Sequence, residues 1–326
     1  MTNPLISVVM SVYNGEKFVA AAVRSVLDQT WTNLELIVVN DGSTDASAAI
    51  LETIGDPRLK ILHQENKGQD AALNNGYRHS RGSFIKFMDC DDLISPPTLE
   101  VQVKALLQSP EKIAYGEWYR FFGAEPTPQD MEIKNFYWKD TDSLDFLLQN
   151  GDGPMLQCGI MLIPRPIIEK AGLWDERLIL YNDTEFFARI ILNAQGVLFT
   201  ADAILWYRSG VGSSLSNQNQ RKYFESTYLA VELISQEYLK REDSPRVRQI
   251  ICNLYFRRLY EMYPSFPDLA RKYRQRVNEF GPTNLFVGGS AFHNFSYNYL
   301  GWRITKLMHN FRGALLRSRQ RRKMSK

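Results

Sequence analysis

Apolar and polar positions come in alternating blocks along the first half of the chain. Ile6-Ser7-Val8-Val9-Met10-Ser11-Val12 and Leu34-Glu35-Leu36-Ile37-Val38-Val39-Asn40 are apolar, β-branched runs that predict buried strands. Leu59 to His63 and Phe84 to Met88 predict two more. The stretches between them, Glu16 to Asp28, Thr44 to Ile54 and Gln69 to His79, carry helical spacing. Strands alternating with helices at this pitch predict an α/β fold, with a mostly parallel central sheet flanked by helices.

Beyond residue 112 the pattern is more mixed. Ile113 to Phe122, Met155 to Ile163 and Gly196 to Tyr207 predict strands, and Gly123 to Asp140 a long loop. Phe186, Phe187, Ile190 and Ile191 form one apolar helix face, with Asp183 in its first turn. Past Ser216 the strand patterns stop. Gln220 to Lys240, Pro245 to Tyr263 and Pro267 to Phe280 predict three amphipathic helices. Leu300, Ile304, Leu307 and Phe311 then recur at helical spacing. The expected division is 1–216 as a catalytic unit, 217–302 as a helical extension and 303–326 as a basic amphipathic tail.

Composition narrows the class. A hydrophobic content of 44% is ordinary for a globular protein. Cys90, Cys158 and Cys252 are far apart and lack CxxC spacing, so they predict a reducing compartment and no zinc site. No secretory signal is expected at the start, because Leu5 to Val12 is short and lacks a preceding basic region. Gly281 to Trp302 has no charged residue but is too polar to span a bilayer. Of 39 basic residues nine lie between Arg303 and Lys326, where there is no acid; the remaining 30 face 36 acids, a body charge of −6. A basic tail on an acidic body points to an anionic surface partner. Phe286, Phe292, Phe295, Tyr297, Tyr299 and Trp302 lie just before that tail, as aromatic residues do at membrane interfaces. The expected location is cytoplasmic, with peripheral contact to the membrane's cytoplasmic face through 286–326.

In parallel sheets, ligands sit beyond the carboxyl ends of the strands. Three polar clusters fall there: Ser11-Val12-Tyr13-Asn14-Gly15, Asn40-Asp41-Gly42-Ser43-Thr44-Asp45 and Asp89-Cys90-Asp91-Asp92. Carboxylates as close as the last group repel one another, and a shared cation is one reason to keep them together. A solvated acidic turn capping the helix that begins near Pro96 is the other. Hard oxygen ligands suit Mg²⁺ or Mn²⁺, whereas Leu93 and Ile94 break the pattern of a calcium loop. Asp41 either belongs to a simple turn or accepts from a base N–H or a ribose hydroxyl, and Tyr13 either packs or stacks on a base. Asn66-Lys67-Gly68 serves either as a helix cap or as a nucleotide contact. No G-x-x-x-x-G-K-[ST] or G-x-G-x-x-G motif is present, so diphosphate charge falls to a metal.

Taken together, these pieces resemble the family 2 inverting glycosyltransferases. The matching stretches are Ile6 to Asn14, Val38 to Asp45, Asn66-Lys67-Gly68, Met88 to Asp92, Gly172-Leu173-Trp174-Asp175-Glu176 and Asn182 to Phe187, in the family's order. The resemblance implies a Rossmann-like, A-type glycosyltransferase fold. It also implies a donor site built from Ser11, Tyr13, Asn14, Asp41, Asn66, Lys67, Asp89 and Asp91, with Tyr13 and Asp41 at the base. Asp89 would lie near the ribose, Asp91 or Asp92 on Mn²⁺ or Mg²⁺, and Asp183 at the position of the catalytic base. Two positions depart from the pattern: Asn182 replaces the usual glutamate, and Tyr207-Arg208-Ser209-Gly210 lacks a histidine. The second departure leaves a diphosphate or metal contact either absent or supplied by Arg208.

The expected activity is inverting transfer of a sugar from a nucleotide-diphosphate donor, a UDP-sugar first, to a glycan or lipid-linked acceptor hydroxyl in cell-surface polysaccharide or glycolipid assembly. Nucleic acid is not an expected partner. A non-catalytic sugar-nucleotide or glycan-binding module is the alternative from another class, but retention of both the acid cluster and Asp183 counts against it. A nucleotidyltransferase would want a Gly-rich basic loop after the first strand, where Ser11 to Phe18 offers only Gly15 and Lys17.

Overall fold

A computed structural model gives the fold and describes residues 3–127, 130, 139–150, 157–210 and 220–286, with 294, 297, 298, 300–308, 310 and 311 near the C-terminus. Its centre is an eight-stranded sheet in the order β3-β2-β1-β4-β7-β6-β8-β5. Strand β1 (Ile6–Val12) pairs in parallel with β2 (Leu34–Asp41) and β4 (Phe84–Asp89), and β3 (Leu59–Gln64) extends β2 in parallel. All of β2 and nearly all of β1 are buried, as expected for strands covered on both faces. Helices α1 (Val19–Leu27), α2 (Ser47–Glu52) and α3 (Gln69–Arg78) connect these strands. The buried side of α1 is Val19, Ala22, Val23, Val26 and Leu27, one stripe at helical spacing.

Pairing register brings the strand ends into step. Ser11 lies opposite Val39 and Asp89, Val12 opposite Asn40, and Asp41 opposite Gln64. The three polar clusters therefore share one edge of the sheet. Lys86, inside β4, is fully buried and donates to Gln102 Oε1 and the Met161 carbonyl. Burial lowers its ammonium to about 7.

The second half of the sheet is mixed. β5 (Leu93–Ile94) runs antiparallel to β8 (Val197–Arg208), which runs parallel to β6 (Ile113–Phe121). β7 (Met161–Pro164) joins the halves, antiparallel to both β4 and β6. The β6–β8 register shifts between Gly116 and Glu117, where a Cβ on Gly116 would come within 2.0 Å of the Ala203 carbonyl oxygen. Around this half lie α4 (Thr98–Gln108), α5 (Ser143–Asn150), α6 (Arg165–Ala171) and α7 (Asn182–Leu192).

Several boundaries move from those the sequence predicts. The first two helices begin at Val19 and Ser47, not Glu16 and Thr44, because the intervening residues are spent on contacts between loops. The strand expected from Met155 begins at Met161, after a 3₁₀ turn over Cys158–Ile160; 151–156 lie outside the described residues. So do 128, 129 and 131–138 of the long loop and 312–326 of the tail.

Helices α8 (Arg221–Arg241), α9 (Pro245–Met262) and α10 (Pro267–Phe280) follow. They do not form a separate core: Val231, Ile234, Ile251, Leu259 and Tyr273 belong to the hydrophobic cluster that contains Ile6 and Val9. α8 packs on α7, and Ser226 Oγ accepts from the Ile179 and Leu180 N–H groups. The loop leading into α7 is thus held by the helical extension. The cysteines are all free, and no helix among the described residues is long and apolar enough to cross a membrane.

Candidate active site

The loops after β1 and β2 are stitched to each other. Asn14, with a left-handed φ of 53°, donates its N–H to Ser43 Oγ and accepts from the Thr44 N–H at 2.8 Å. The Gly15 N–H donates to Ser47 Oγ, and the Glu16 N–H to Asp45 Oδ2. Glu16 returns the contact by accepting from the Ala46 N–H. Asparagine tolerates the left-handed region because its short amide bonds locally. This lattice holds up Tyr13, which is 53% exposed, and Ser11, half-buried beside Asp89.

A second latch fixes the loop before α3. Asp41 is 2% exposed and accepts from Gln64 Nε2 at 2.7 Å, the Lys67 N–H at 2.9 Å and the Gly68 N–H at 2.9 Å. The base contact implied for Asp41 thus meets a carboxylate already serving three internal donors. Gly42 makes the approach possible, since its φ is 70° and a Cβ there would lie 2.8 Å from the Asn66 nitrogen. Asn66 and Lys67 are exposed on that loop, and it is the Lys67 backbone N–H that bonds to Asp41.

The acidic stretch lies next to these loops, at the end of β4. One carboxylate oxygen from each of Asp89, Asp91 and Asp92 lies within 4.8 Å of the others. Burial raises all three above the usual carboxylate range, Asp89 to about 7, and mutual repulsion adds to it at Asp89 and Asp92. Their accessibility differs. Asp92 is 1% exposed and accepts from the Arg208 N–H, while Asp89 accepts from Gln69 Nε2 at 2.7 Å. Asp91 is half-buried, and the nearby Arg208 cation partly offsets the effect of burial on its carboxyl. Three hard oxygens this close fit Mg²⁺ or Mn²⁺, and Asp91 is the carboxylate most available to one.

Arg208 stands at the second departure from the family pattern. It is 6% exposed, and its guanidinium donates to the carbonyls of Asp91, Gly123 and Ala124 while sitting between the Phe18 and Phe121 rings. Three of its five N–H groups are thus bound to protein carbonyls, so Arg208 props the acidic loop.

Asp183 comes from another element, helix α7. It is half-buried in the first turn of α7, where its carboxylate accepts from the N–H and hydroxyl of Thr184. Burial raises its pKa, and the hydrogen bonds from Thr184, with a smaller contribution from the Arg258 cation, partly offset this. Its charge adds to the burial and the Asp91 charge that raise Asp89. Aromatic packing sets this relation. Trp174 stacks on Phe186 of α7 at 3.9 Å and meets Phe87 of β4 edge-on at 5.4 Å. Asn74 of α3 clasps both the N–H and the carbonyl of Trp174. The Gly172-to-Glu176 motif is therefore packing that docks α7 against the acidic end of β4.

Sequence reasoning missed four residues that hold this arrangement: Gln64, Gln69, Asp70 and Arg258. Asn182, which stands where a glutamate is usual, donates to Asp70 Oδ1 at 2.5 Å. Arg258 of α9 donates to the Tyr181 hydroxyl at 2.8 Å and lies over its ring. Both links join residues distant in sequence, so no local pattern reveals them.

Comparisons with known proteins agree with this geometry. The chain is 31% identical over 256 residues to an uncharacterized glycosyltransferase of Haemophilus influenzae, covering 77% of this chain and 94% of that one. It is 30% identical over 232 residues to glycosyltransferase GlyG of Streptococcus pneumoniae, covering 66% of this chain and 74% of GlyG. Of other curated relatives it spans less, 63% of one from Rickettsia typhi and 18% of glycosyltransferase GlyA of Streptococcus pneumoniae. Among solved structures, Staphylococcus aureus TarS 1–349 in complex with UDP-GlcNAc superposes with a TM-score of 0.66 at 19% identity, over 84% of this chain and 80% of that one. The mannosyltransferase PcManGT of Pyrobaculum calidifontis, in complex with GDP-Man and Mn²⁺, gives 0.54 at 17% identity, over 95% and 85%. These two share the A-type glycosyltransferase fold with this chain. The Glycosyl transferase family 2 model matches residues 7–172, just over half of the 326 residues, and the chain belongs to that family.

Proposed function

We propose that the chain transfers a sugar, with inversion, from a nucleotide-diphosphate donor to an acceptor hydroxyl, with Asp183 as general base. The observation that carries this reading is the Asp89–Asp91–Asp92 cluster at the end of β4, with the helix of Asp183 docked beside that strand through Trp174, Phe186 and Phe87. Asp183 takes the acceptor's proton. The freed oxygen attacks the anomeric carbon from the face opposite the phosphate, the carbon–oxygen bond to phosphate breaks, and the nucleoside diphosphate leaves. Tyr13 and the Asn66–Lys67 loop, latched by Asp41, receive the nucleotide, with Ser11, Asn14 and Asp89 lining its sugar side. Asp91, with Asp92 beside it, would hold Mn²⁺ or Mg²⁺, which when bound offsets the negative charge growing on the leaving diphosphate. Asp183 is raised by burial but not paired to a cation, which keeps it basic enough to accept a proton.

UDP-sugars come first among donors and GDP-mannose second, because structures sharing this fold are bound to UDP-GlcNAc and GDP-Man. A thermal-shift panel of nucleotide sugars with Mn²⁺ tests the reading, since a bound donor stabilises the fold by mass action. A shift without release of nucleoside diphosphate on adding acceptors would favour a binding module instead.

The acceptor is expected to be a glycan or a lipid-linked sugar at the cytoplasmic face of a membrane. What supports this is the helix over 300–308, where Leu300, Ile304, Leu307 and Met308 are 37–48% exposed and Phe311 69%, beside Arg303 and Lys306. An apolar stripe flanked by cations suits an anionic bilayer surface. Ile304→Asp combined with Leu307→Asp should abolish co-flotation with anionic vesicles; equal flotation of both proteins would remove the membrane from the account.

A further inference from the structure

Helix α7 begins without a side-chain cap, and Tyr181, just before it, is left-handed with a φ of 69°. A bulky residue keeps such a backbone only where its surroundings over-determine it. Two contacts do so here. Arg258 of α9 holds the Tyr181 hydroxyl, and Asp70 of α3 holds the Asn182 amide.

The Asp70 contact is the unusual one. Asp70 is 4% exposed, and its second oxygen, Oδ2, is buried with no hydrogen-bond partner. The charged groups that bear on it most are the acids Asp183, Asp175 and Glu185, and with burial they raise its carboxyl to about 7. Arg177 and Arg189, the nearby cations, are bound instead to Asp175 and Glu185. A buried carboxyl with an unmet oxygen among like charges weakens the fold, and an apolar residue would pack there at no such cost. What the position gains is its one strong bond, to the residue preceding Asp183. Its neighbour Gln69 reaches the other way, to Asp89. One helix end thus touches the donor-side carboxylates and the helix of the base with consecutive side chains.

We propose that Asp70 is a positioning residue for sugar transfer: its hydrogen bond to Asn182 fixes the first turn of α7, and with it Asp183, against the donor side of the cleft. It touches no reacting atom and moves no proton. The residue before the base is thus an amide tethered to a carboxyl from another helix. The inference rests on Asp183 being the base. Misplacing a catalytic group by about 1 Å costs on the order of 10²-fold in rate without touching the chemistry.

The test compares Asp70→Ala, Asn182→Ala, their combination and Asp70→Asn. UDP affinity is measured calorimetrically with Mn²⁺, and kcat by nucleoside diphosphate release from UDP-GlcNAc or GDP-mannose, whichever the full chain turns over. Each alanine variant should lose about 10²-fold in kcat, with UDP affinity within about threefold of the parent. The combined variant should be no worse than either alone, because both remove the same bond. Asp70→Asn keeps an acceptor for Asn182 and should stay within about fivefold of the parent kcat. If Asp70→Ala does not fold, Asn182→Ala gives the same readout from a partly exposed position. Losses that multiply, a kcat within about threefold in the alanine variants, or a matching loss of UDP affinity would each overturn the proposal. Asp183→Asn is run alongside. If it keeps its turnover, the base assignment is what fails; if it collapses while Asp70→Ala and Asn182→Ala turn over normally, only the positioning role fails.

Discussion

Two stretches of the same sheet edge are held in different ways. After β1 and β2 the loops satisfy each other: Asn14, Glu16, Ser43, Asp45 and Ser47 exchange hydrogen bonds over a short distance, and Asp41 meets three donors. After β4 and at the start of α7 the carboxylates crowd together with few donors of their own. They are held from outside, Asp91 and Asp92 by Arg208 of β8, and the approach to Asp183 by Asp70 of α3 and Arg258 of α9. The first region is satisfied within its own loops. In the second, acidic side chains are concentrated with fewer donors. In the proposed reading, binding and chemistry are divided along one edge.

The largest expected effect lies in the second region. Asp91→Asn with Asp92→Asn removes two charges that burial already disfavours, so the fold should persist while cation-dependent nucleotide binding disappears. Calorimetric UDP affinity that is unchanged in the presence of Mn²⁺ would contradict the division. Arg208→Ala comes next. It removes the guanidinium's bonds to the Asp91 carbonyl and to the exposed Gly123 and Ala124 carbonyls, which water can then reach, together with its packing on Phe18 and Phe121, so urea unfolding should show a loss of about 1–3 kcal/mol. Arg208→Lys should recover only part of it, since an ammonium lacks the fork that reaches separate carbonyls.

The smallest effect is a pH dependence. Asp70 has a folded pKa of about 7 against 3.8 for the free group, so the folded chain keeps a proton that the unfolded chain has lost between those values. The stability linked to the neutral carboxyl is present below about pH 4 and is lost as pH rises through about 7. Asp70→Asn cannot ionise, so its melting temperature should gain on the parent's between about pH 5 and about pH 8. A difference that does not change with pH would mean that Asp70 is already ionised in the fold.

How much of this was legible in the sequence follows the same division. The parallel half declared itself, because strands buried on both faces are written as unbroken apolar runs and the loops between them as polar clusters. β5, with two residues, and β7, with four, are too short to carry a pattern and exist through pairing with distant strands. Asp183 stood out only through resemblance, since an acid in a first helical turn is ordinary. Asp70 and Arg258 had no local signal: their partners Asn182 and Tyr181 lie 112 and 77 residues away. Arg208 was visible, but its burial and its three carbonyl partners were not, because they come from loops distant in sequence.

The central claim is that Asp183 removes the acceptor's proton, and Asp183→Asn tests it most directly. The variant keeps an oxygen to accept from the Thr184 N–H, and Asn serves about as well as Asp at a helix start, so melting should be nearly unchanged. Nucleotide affinity should also hold, because the base faces the acceptor. Turnover should fall by roughly 10²- to 10⁴-fold, the usual contribution of a general base. Turnover within a few-fold of the parent, with melting and binding intact, would make Asp183 a structural residue at the start of α7 and contradict the account.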